Sequence, residues 1–546
     1  MWWKIREREA ESGRREAPVG HSGEDLDTHP QPIRAAAARL PLTASRLFLT
    51  VFLIYAAHFA SNVVRETYLA MSLGERMSVR VDEYLGLHPD LFEIPERGSY
   101  INNNPGASIL GALPYAAARP AISAVLRLKP ELARPKPAAR YDDPRPNRNK
   151  FMNEARARGL DIKLALAAAS MQVGLMAPLG GLAAVVMFFF LRARLGDERA
   201  ALWMALLYAF ATPIFFRSAF LNQNALVAHC VLFGFVLLAG NGRALAGGSI
   251  EPGEEQQESV RPRSLAGAGA FAGTAVLIDY SGAPLLLAFG IWALAAGWAR
   301  GSVSSALRAG AWFTLGAAVP LAILLAYQMA AFGNPLFPAQ RYMPATRYSV
   351  QGWNGLSVPT LELLWRNLFD PRYGLIAFCP MLIAAIAAPF RKSGFWSPGR
   401  RELAFIFGAT GALYLFNSAN QFALLQWNTG VRYMVPAVPL LFIALVPVLL
   451  GARAWIAWML IIPSLTISWS VSMARESVPG SLARIFTGGF ELPWLTVLEK
   501  TAESYAPFLA GGTSPLPIFV LLGVVLWLLW RRTPDGGVRV FGGTVR

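Results

Sequence analysis

Charge is scarce in this chain. Only 15% of its 546 residues are Asp, Glu, Lys or Arg, while 54% are hydrophobic, which excludes the three or four soluble domains that the length alone would allow. Cysteine is scarcer still, with Cys230 and Cys379 the whole complement. Both fall inside apolar runs, which argues against a disulfide framework and against a thiolate zinc site. Acids are outnumbered 34 to 50 by Lys and Arg, for a net charge of +16. No nucleic-acid partner is implied, because the arginines sit in a terminal tail and in loops between apolar runs, where they set membrane orientation. Alternating polarity is missing too: 171–191, MQVGLMAPLGGLAAVVMFFFL, has no period of two, which speaks against a β-barrel. No fixed-period repeat and no half-to-half symmetry of interrupted spans is visible, which weighs against a secondary transporter.

What the chain does have is a series of apolar runs, each long enough to cross a hydrocarbon core of roughly 30 Å as a helix. They fall near 45–64, 166–191, 200–216, 225–240, 265–281, 283–299, 310–331, 373–390, 402–418, 434–452, 454–472 and 514–530. The reading is an all-α polytopic membrane protein of about twelve transmembrane helices. Residues 1–44, of mixed charge with Pro and Gly, are expected to be a disordered cytoplasmic tail, 45–532 the membrane domain and 533–546 a second cytoplasmic tail. The polar region 65–163 becomes a first extracytoplasmic loop. Its half-apolar segment 105–126 carries Arg119 near the middle and Pro105, Pro114 and Pro120, and is read as a helix lying in the interface. With that segment not crossing, the loops holding Arg192, Arg243, Arg300, Arg391 and Arg531 all fall on the cytoplasmic side, as the positive-inside rule asks.

The polar residues that are expensive near a bilayer then share the outer face. Glu66 stands about one helical turn beyond the first span, where a carboxylate can take a proton from a hydroxyl or meet a divalent cation; the plainer reading is a surface acid paired with Arg65. Asp82, in RVDEY, and Asp279, followed by Tyr280 in a tight turn between two apolar runs, are the other acids. The run YINNNPG at 100–106 puts Asn102 and Asn103 before a Pro-Gly helix start, an arrangement that turns backbone N–H groups toward an anion and equally makes an ordinary cap. Arg217, Arg341, Arg347, Arg372 and Arg432 are unusual in outer loops, and a guanidinium binds a phosphate oxygen pair bidentately. Trp353 and Trp427 are rings able to stack on a sugar, or members of an interfacial belt, and Asn428 lies beside Trp427.

An acid after the first span, YINNNPG at 100–106, LFDPRYGLIAFCPMLI at 368–383 and QWNTGVRYMVPAVPLL at 426–441, in that order, resemble the bacterial GT-C glycosyltransferases, a superfamily that includes protein mannosyltransferases and aminoarabinose transferases. The resemblance runs from about 45 to 450. It implies a polyprenyl-phosphate sugar donor and inverting transfer to a hydroxyl or amine of a glycan, lipid or protein acceptor outside the bacterial cytoplasmic membrane, with both termini inside. Glu66 matches the position of the family's first-loop acid, usually Asp, and is the expected general base, with Asp82 and Asp279 as further catalytic candidates. Many relatives carry Lys where this chain has Asn103. Donor phosphate binding then falls to Arg372, Arg432, Arg341, Arg217, Asn102 and Asn103, and sugar or acceptor contact to Trp353, Trp427, Tyr280 and Asn428. The one cofactor expectation is a divalent cation such as Mg or Mn, with Glu66 as its ligand, set against transfer with no metal. The alternatives are a lipid-linked sugar flippase or exporter, and a ligase or polymerase of surface polysaccharide.

Overall fold

The computed structural model describes residues 31–137, 141–142, 146–240, 261–391, 396–428, 430–509 and 512–531, the side chains of 31–41, 146–147, 427 and 428 excepted. The chain is mostly helical. In order its principal elements are α1 (Gln31–Ala57), α2 (Arg65–Arg76), β1 (Leu91–Ile94), β2 (Gly98–Ile101), α3 (Gly106–Leu128), α4 (Pro146–Ala157), α5 (Asp161–Met171), α6 (Ala177–Leu195), α7 (Glu198–Phe210), α8 (Gln223–Leu238), α9 (Pro262–Ile278), α10 (Gly282–Trp298), α11 (Val303–Phe332), α12 (Leu361–Phe369), α13 (Arg400–Ala419), α14 (Val438–Gly451), α15 (Ala454–Ala474), α16 (Val478–Gly488), α17 (Pro493–Tyr505) and α18 (Leu516–Trp530).

Among the described residues, four helices are long and apolar enough to cross a membrane: Gly106–Leu128, the continuous Asp161–Leu195, Val303–Phe332 and Ala454–Ala474. Shorter apolar helices include Leu42–Ala57, Gln223–Leu238, Gly282–Trp298, Val435–Gly451 and Leu516–Trp530. A helix therefore stands at each position read from the sequence, but among the described residues only these four reach both the length and the apolarity of a span. The run at 373–390 is not α-helical. Pro380 and Pro389 bracket an 11-residue 3-10 helix, Pro380–Phe390, which at 2.0 Å per residue extends roughly 22 Å. Helix α1 begins at Gln31, inside the stretch read as a disordered tail, and the rest of that tail lies outside the described residues. Length and composition leave α3 able to cross, although only 17% of its apolar window is buried.

Close packing rather than polarity holds the bundle. On α9, a Cβ at Gly269 would lie 1.9 Å from the Phe313 carbonyl oxygen of α11, and one at Gly316 of α11 would lie 1.9 Å from that of Ala266. Small residues let these backbones touch, the usual means of helix association where lipid supplies no hydrophobic drive. Between α5 and α6 the helix makes one π turn, Gln172–Met176. Its Gln172 Nε2 donates to the carbonyls of Tyr55 at 3.0 Å and Ser218 at 2.8 Å. At one end of the bundle Arg194 donates to Glu402 at 2.8 Å and also to the carbonyl of Ala239, just past the end of α8.

The other end of α8, at Gln223, carries the polar superstructure. There α2 lies along α3, and β1 and β2 form an antiparallel hairpin with Phe92 opposite Tyr100, two short strands in a chain expected to be all helix. The end of α4 and the start of α5 dock on α17: Arg156, 2% exposed, donates to Ser504, and the Tyr505 hydroxyl donates to Asp161 at 2.5 Å.

Candidate functional site

The close approach of α3 to α9 fixes the floor of the site. A Cβ at Gly106 would meet the Leu277 carbonyl at 2.7 Å, so only glycine fits there, and Asn104 Nδ2 donates to the Val276 carbonyl at 2.7 Å. The first-loop chain is thereby laid across the C-terminal end of α9, which brings Asn103 beside Asp279.

From that contact a polar network runs through three segments of the chain. Asn103 Nδ2 donates to Glu66 Oε1 at 3.0 Å and to Gln223 Oε1. Gln223 Nε2 donates to Asp279 Oδ2 at 2.6 Å, and Asp279 Oδ1 accepts the Ser281 amide at 2.8 Å. Arg65 lies 3.0 Å from Glu66, forms an ion pair with Asp90 and donates to Gln223 at 3.3 Å. Glu66 is only 3% exposed, Asn103 5% and Asp279 9%. A carboxylate so buried is tolerable only with such partners. Among the described residues its Oε2 accepts no hydrogen bond.

The outer edge of the network holds His88 and Asp90, with ring Nδ1 3.8 Å from the carboxylate. Burial pushes the Asp90 carboxyl up, but the Arg65 guanidinium, with His88 and Arg432 added, holds it at about 2. Burial lowers the His88 imidazole from its ordinary value, against the pull of Asp90. Both groups also feel Arg432. That arginine stands on a built turn: Gly430 has φ of +74°, a Cβ there would meet the Phe378 ring at 3.1 Å, and buried Arg217 donates from Nε to the Val431 carbonyl. The amides of Arg432 and Tyr433 donate to Gln426 Oε1 at 3.2 and 3.0 Å. The Arg432 guanidinium covers the Tyr433 ring at 4.8 Å, and its Nε has no hydrogen-bond partner among the described residues.

Glu66, Asn103 and Asp279 are thus brought together, with Arg432 near them. The other candidates sit elsewhere or hold structure. Asp82 braces the hairpin, accepting the Ser99 amide at 2.6 Å and pairing with Arg80 at 2.8 Å. Arg372 is tied to Asp370 through its backbone amide at 2.8 Å, Nε at 3.1 Å and Nη2 at 3.0 Å. Arg341 is exposed, but its neighbour Gln340 donates to the Asn102 carbonyl at 2.9 Å, which ties its loop to the network. Tyr280 accepts from Gln328. Trp353 is 59% exposed on a turn paired through Leu356 with Asn420. The side chains of Trp427 and Asn428 lie outside the described residues. The sequence reading passes over Asp90 and His88 as site residues; the carboxylate in HPD, within the same first loop, is the available signal. Among the described residues no three of His, Cys, Asp and Glu are grouped so as to hold a metal ion.

Set against protein-family models, curated proteins and solved structures, the chain matches none.

Proposed function

We propose that this chain is an integral membrane glycosyltransferase, moving a sugar from a polyprenyl-phosphate donor to an acceptor at the extracytoplasmic face of the bacterial cytoplasmic membrane through a bundle of about twelve spans. The observation that carries the reading is Glu66: a carboxylate 3% exposed, held through one oxygen by Asn103 and Arg65. It stands at the polar end of an apolar bundle, with Arg432 beside the same network.

In the proposed step the acceptor O–H or N–H gives its proton to Glu66 as its heavy atom attacks the anomeric carbon. The bond from that carbon to the phosphate oxygen breaks, and polyprenyl phosphate leaves with the electron pair. A phosphate leaving group calls for charge stabilisation more than for protonation, and Arg432 supplies it. Asp279 acts through Gln223 and Asn103 to hold the base in place. A divalent cation is not part of this proposal, since the Arg65 guanidinium already stands between the Glu66 and Asp90 carboxylates that such an ion would use.

Purified protein in vesicles given labelled polyprenyl-phosphate sugar and acceptor tests the reading. Release of polyprenyl phosphate with sugar on the acceptor is expected. Redistribution of intact donor across the bilayer without release would sink it in favour of a flippase.

A further inference from the structure

We infer that α12 (Leu361–Phe369) is an anchor in the bilayer interface that sets the height of the Arg432 loop against the membrane surface. Leu361, Trp365 and Phe369 recur at i, i+4 and i+8, one face of a helix, and are 86%, 64% and 38% exposed. The Trp365 and Phe369 rings lie against each other with centroids 4.6 Å apart. The opposite face is seated in the protein, with Leu363 and Asn367 each 1% exposed. Nine residues extend roughly 13 Å, far too short to cross a bilayer.

The occupant of the exposed face is the headgroup and upper-chain region of a phospholipid bilayer. Helix α12 packs on α13, whose Tyr414 hydroxyl donates to the Leu364 carbonyl at 2.6 Å and whose Leu415 is itself 52% exposed. The apolar face thus continues onto an apolar helix. Arg400 and Arg401 open α13 at its far end, so α12 caps the end away from them. Beside the stripe, Arg366 pairs with Glu362 at 3.0 Å, which gives the aromatic face the charged flank of an interfacial helix.

The seated face reaches the site. Asn367 Oδ1 accepts from Gln426 Nε2 at 3.0 Å, and Gln426 Oε1 holds the amides of Arg432 and Tyr433. Phe369 is followed at once by Asp370, the carboxylate that fixes Arg372. One helix lying in the interface therefore positions two arginine loops at headgroup depth. That this is the depth of a donor phosphate rests on the glycosyltransferase reading; the anchoring and its link to Arg432 do not.

The test uses the full chain in vesicles of phosphatidylethanolamine and phosphatidylglycerol, so it needs no turnover. Leu361→Cys carrying an environment-sensitive thiol fluorophore should be quenched at least threefold by lipids brominated in the upper acyl chain, and Glu362→Cys by aqueous iodide instead. Quenching of the 361 probe by iodide and not by brominated lipid overturns the anchor. For the coupling, amide hydrogen exchange at Arg432 and Tyr433 should quicken at least tenfold in Trp365→Glu and return to the wild-type rate in Trp365→Phe. Leu361→Asp serves the same purpose should Trp365→Glu not insert, because that side chain is 86% exposed. Unchanged exchange in the inserted acidic variant overturns the coupling. If exchange responds while wild-type protein releases no polyprenyl phosphate, the activity assignment falls and the anchor stands.

Discussion

Gln223 donates to Asp279 at 2.6 Å through its amide nitrogen while its carbonyl oxygen accepts from Asn103 and Arg65. One side chain so joins the start of α8, the end of α9 and the first loop, and it needs a donor and an acceptor at once. Gln223→Leu leaves Asn103 and Asp279 buried without that partner. The expected loss is about 1–3 kcal/mol of stability, read as a lowered thermal midpoint in detergent, with a matching fall in transfer.

Glu66→Gln keeps the shape of the side chain and removes the base. Transfer should drop by about 10²–10⁴-fold, the usual contribution of a positioned base, while expression and elution volume stay those of the parent. Near-normal turnover would move the base to Asp279 or Asp90.

The Asp90 carboxyl is held at about 2 against burial, chiefly by Arg65. A folded-state pKa below the unfolded one stabilises the protein above the unfolded pKa, and that stabilisation is lost as pH falls through the folded value. With the Asp90 side chain 29% exposed, solvent screening keeps it to at most about 2 kcal/mol. The thermal midpoint of the parent should fall between pH 4 and pH 2, and Asp90→Asn should flatten that part of the profile. An identical slope in the variant would show that the pair carries no net stability.

Arg432 and Arg372 should behave differently. The first has a nitrogen without a partner and its charge is felt by His88 and Asp90; the second is engaged by Asp370. Arg432→Lys, which loses the planar fork, is expected to raise the KM for donor about tenfold with little change in thermal midpoint. Arg372→Ala should lower the midpoint, because it strips the pairing from Asp370, itself 7% exposed. Equal effects on donor KM would merge the two roles.

Orientation is tested with single cysteines. An impermeant thiol reagent applied from outside should label positions 78 and 345 and spare position 300, which becomes reactive only in opened cells. The reverse pattern would invert the bundle.

The sequence carried the helices because apolar runs and their polar ends are local signals. It also carried Glu66, Asn103 and Asp279, since a polar residue near hydrocarbon is conspicuous by its cost. Their mutual contact was hidden, because it is made by Gly106 against Leu277 and by Asn104 on a backbone carbonyl, neither of which leaves a pattern. The hairpin was missed for a related reason: strands of four residues are too short for alternation to register, and their turn is written only in Glu96 and Gly98, with φ of 64° and 112°. Arg372 looked available for a ligand until the fold showed Asp370, two residues before it, occupying it.

The π turn at Gln172–Met176 holds one residue more than an α turn. An α-helix that takes in one extra residue without breaking bulges in this way, and the wide turn takes up the roughly 100° by which that residue would otherwise rotate all that follows. Helices α5 and α6 therefore address their neighbours as two separately phased pieces of one rod. Tightening that turn to ordinary α geometry with all five residues kept would rotate one half out of its packing. It would also withdraw the amide that ties the carbonyl of Tyr55 in the first span to that of Ser218, just before α8. The phase of the bundle is thus set at a place where no charged residue or ligand group stands.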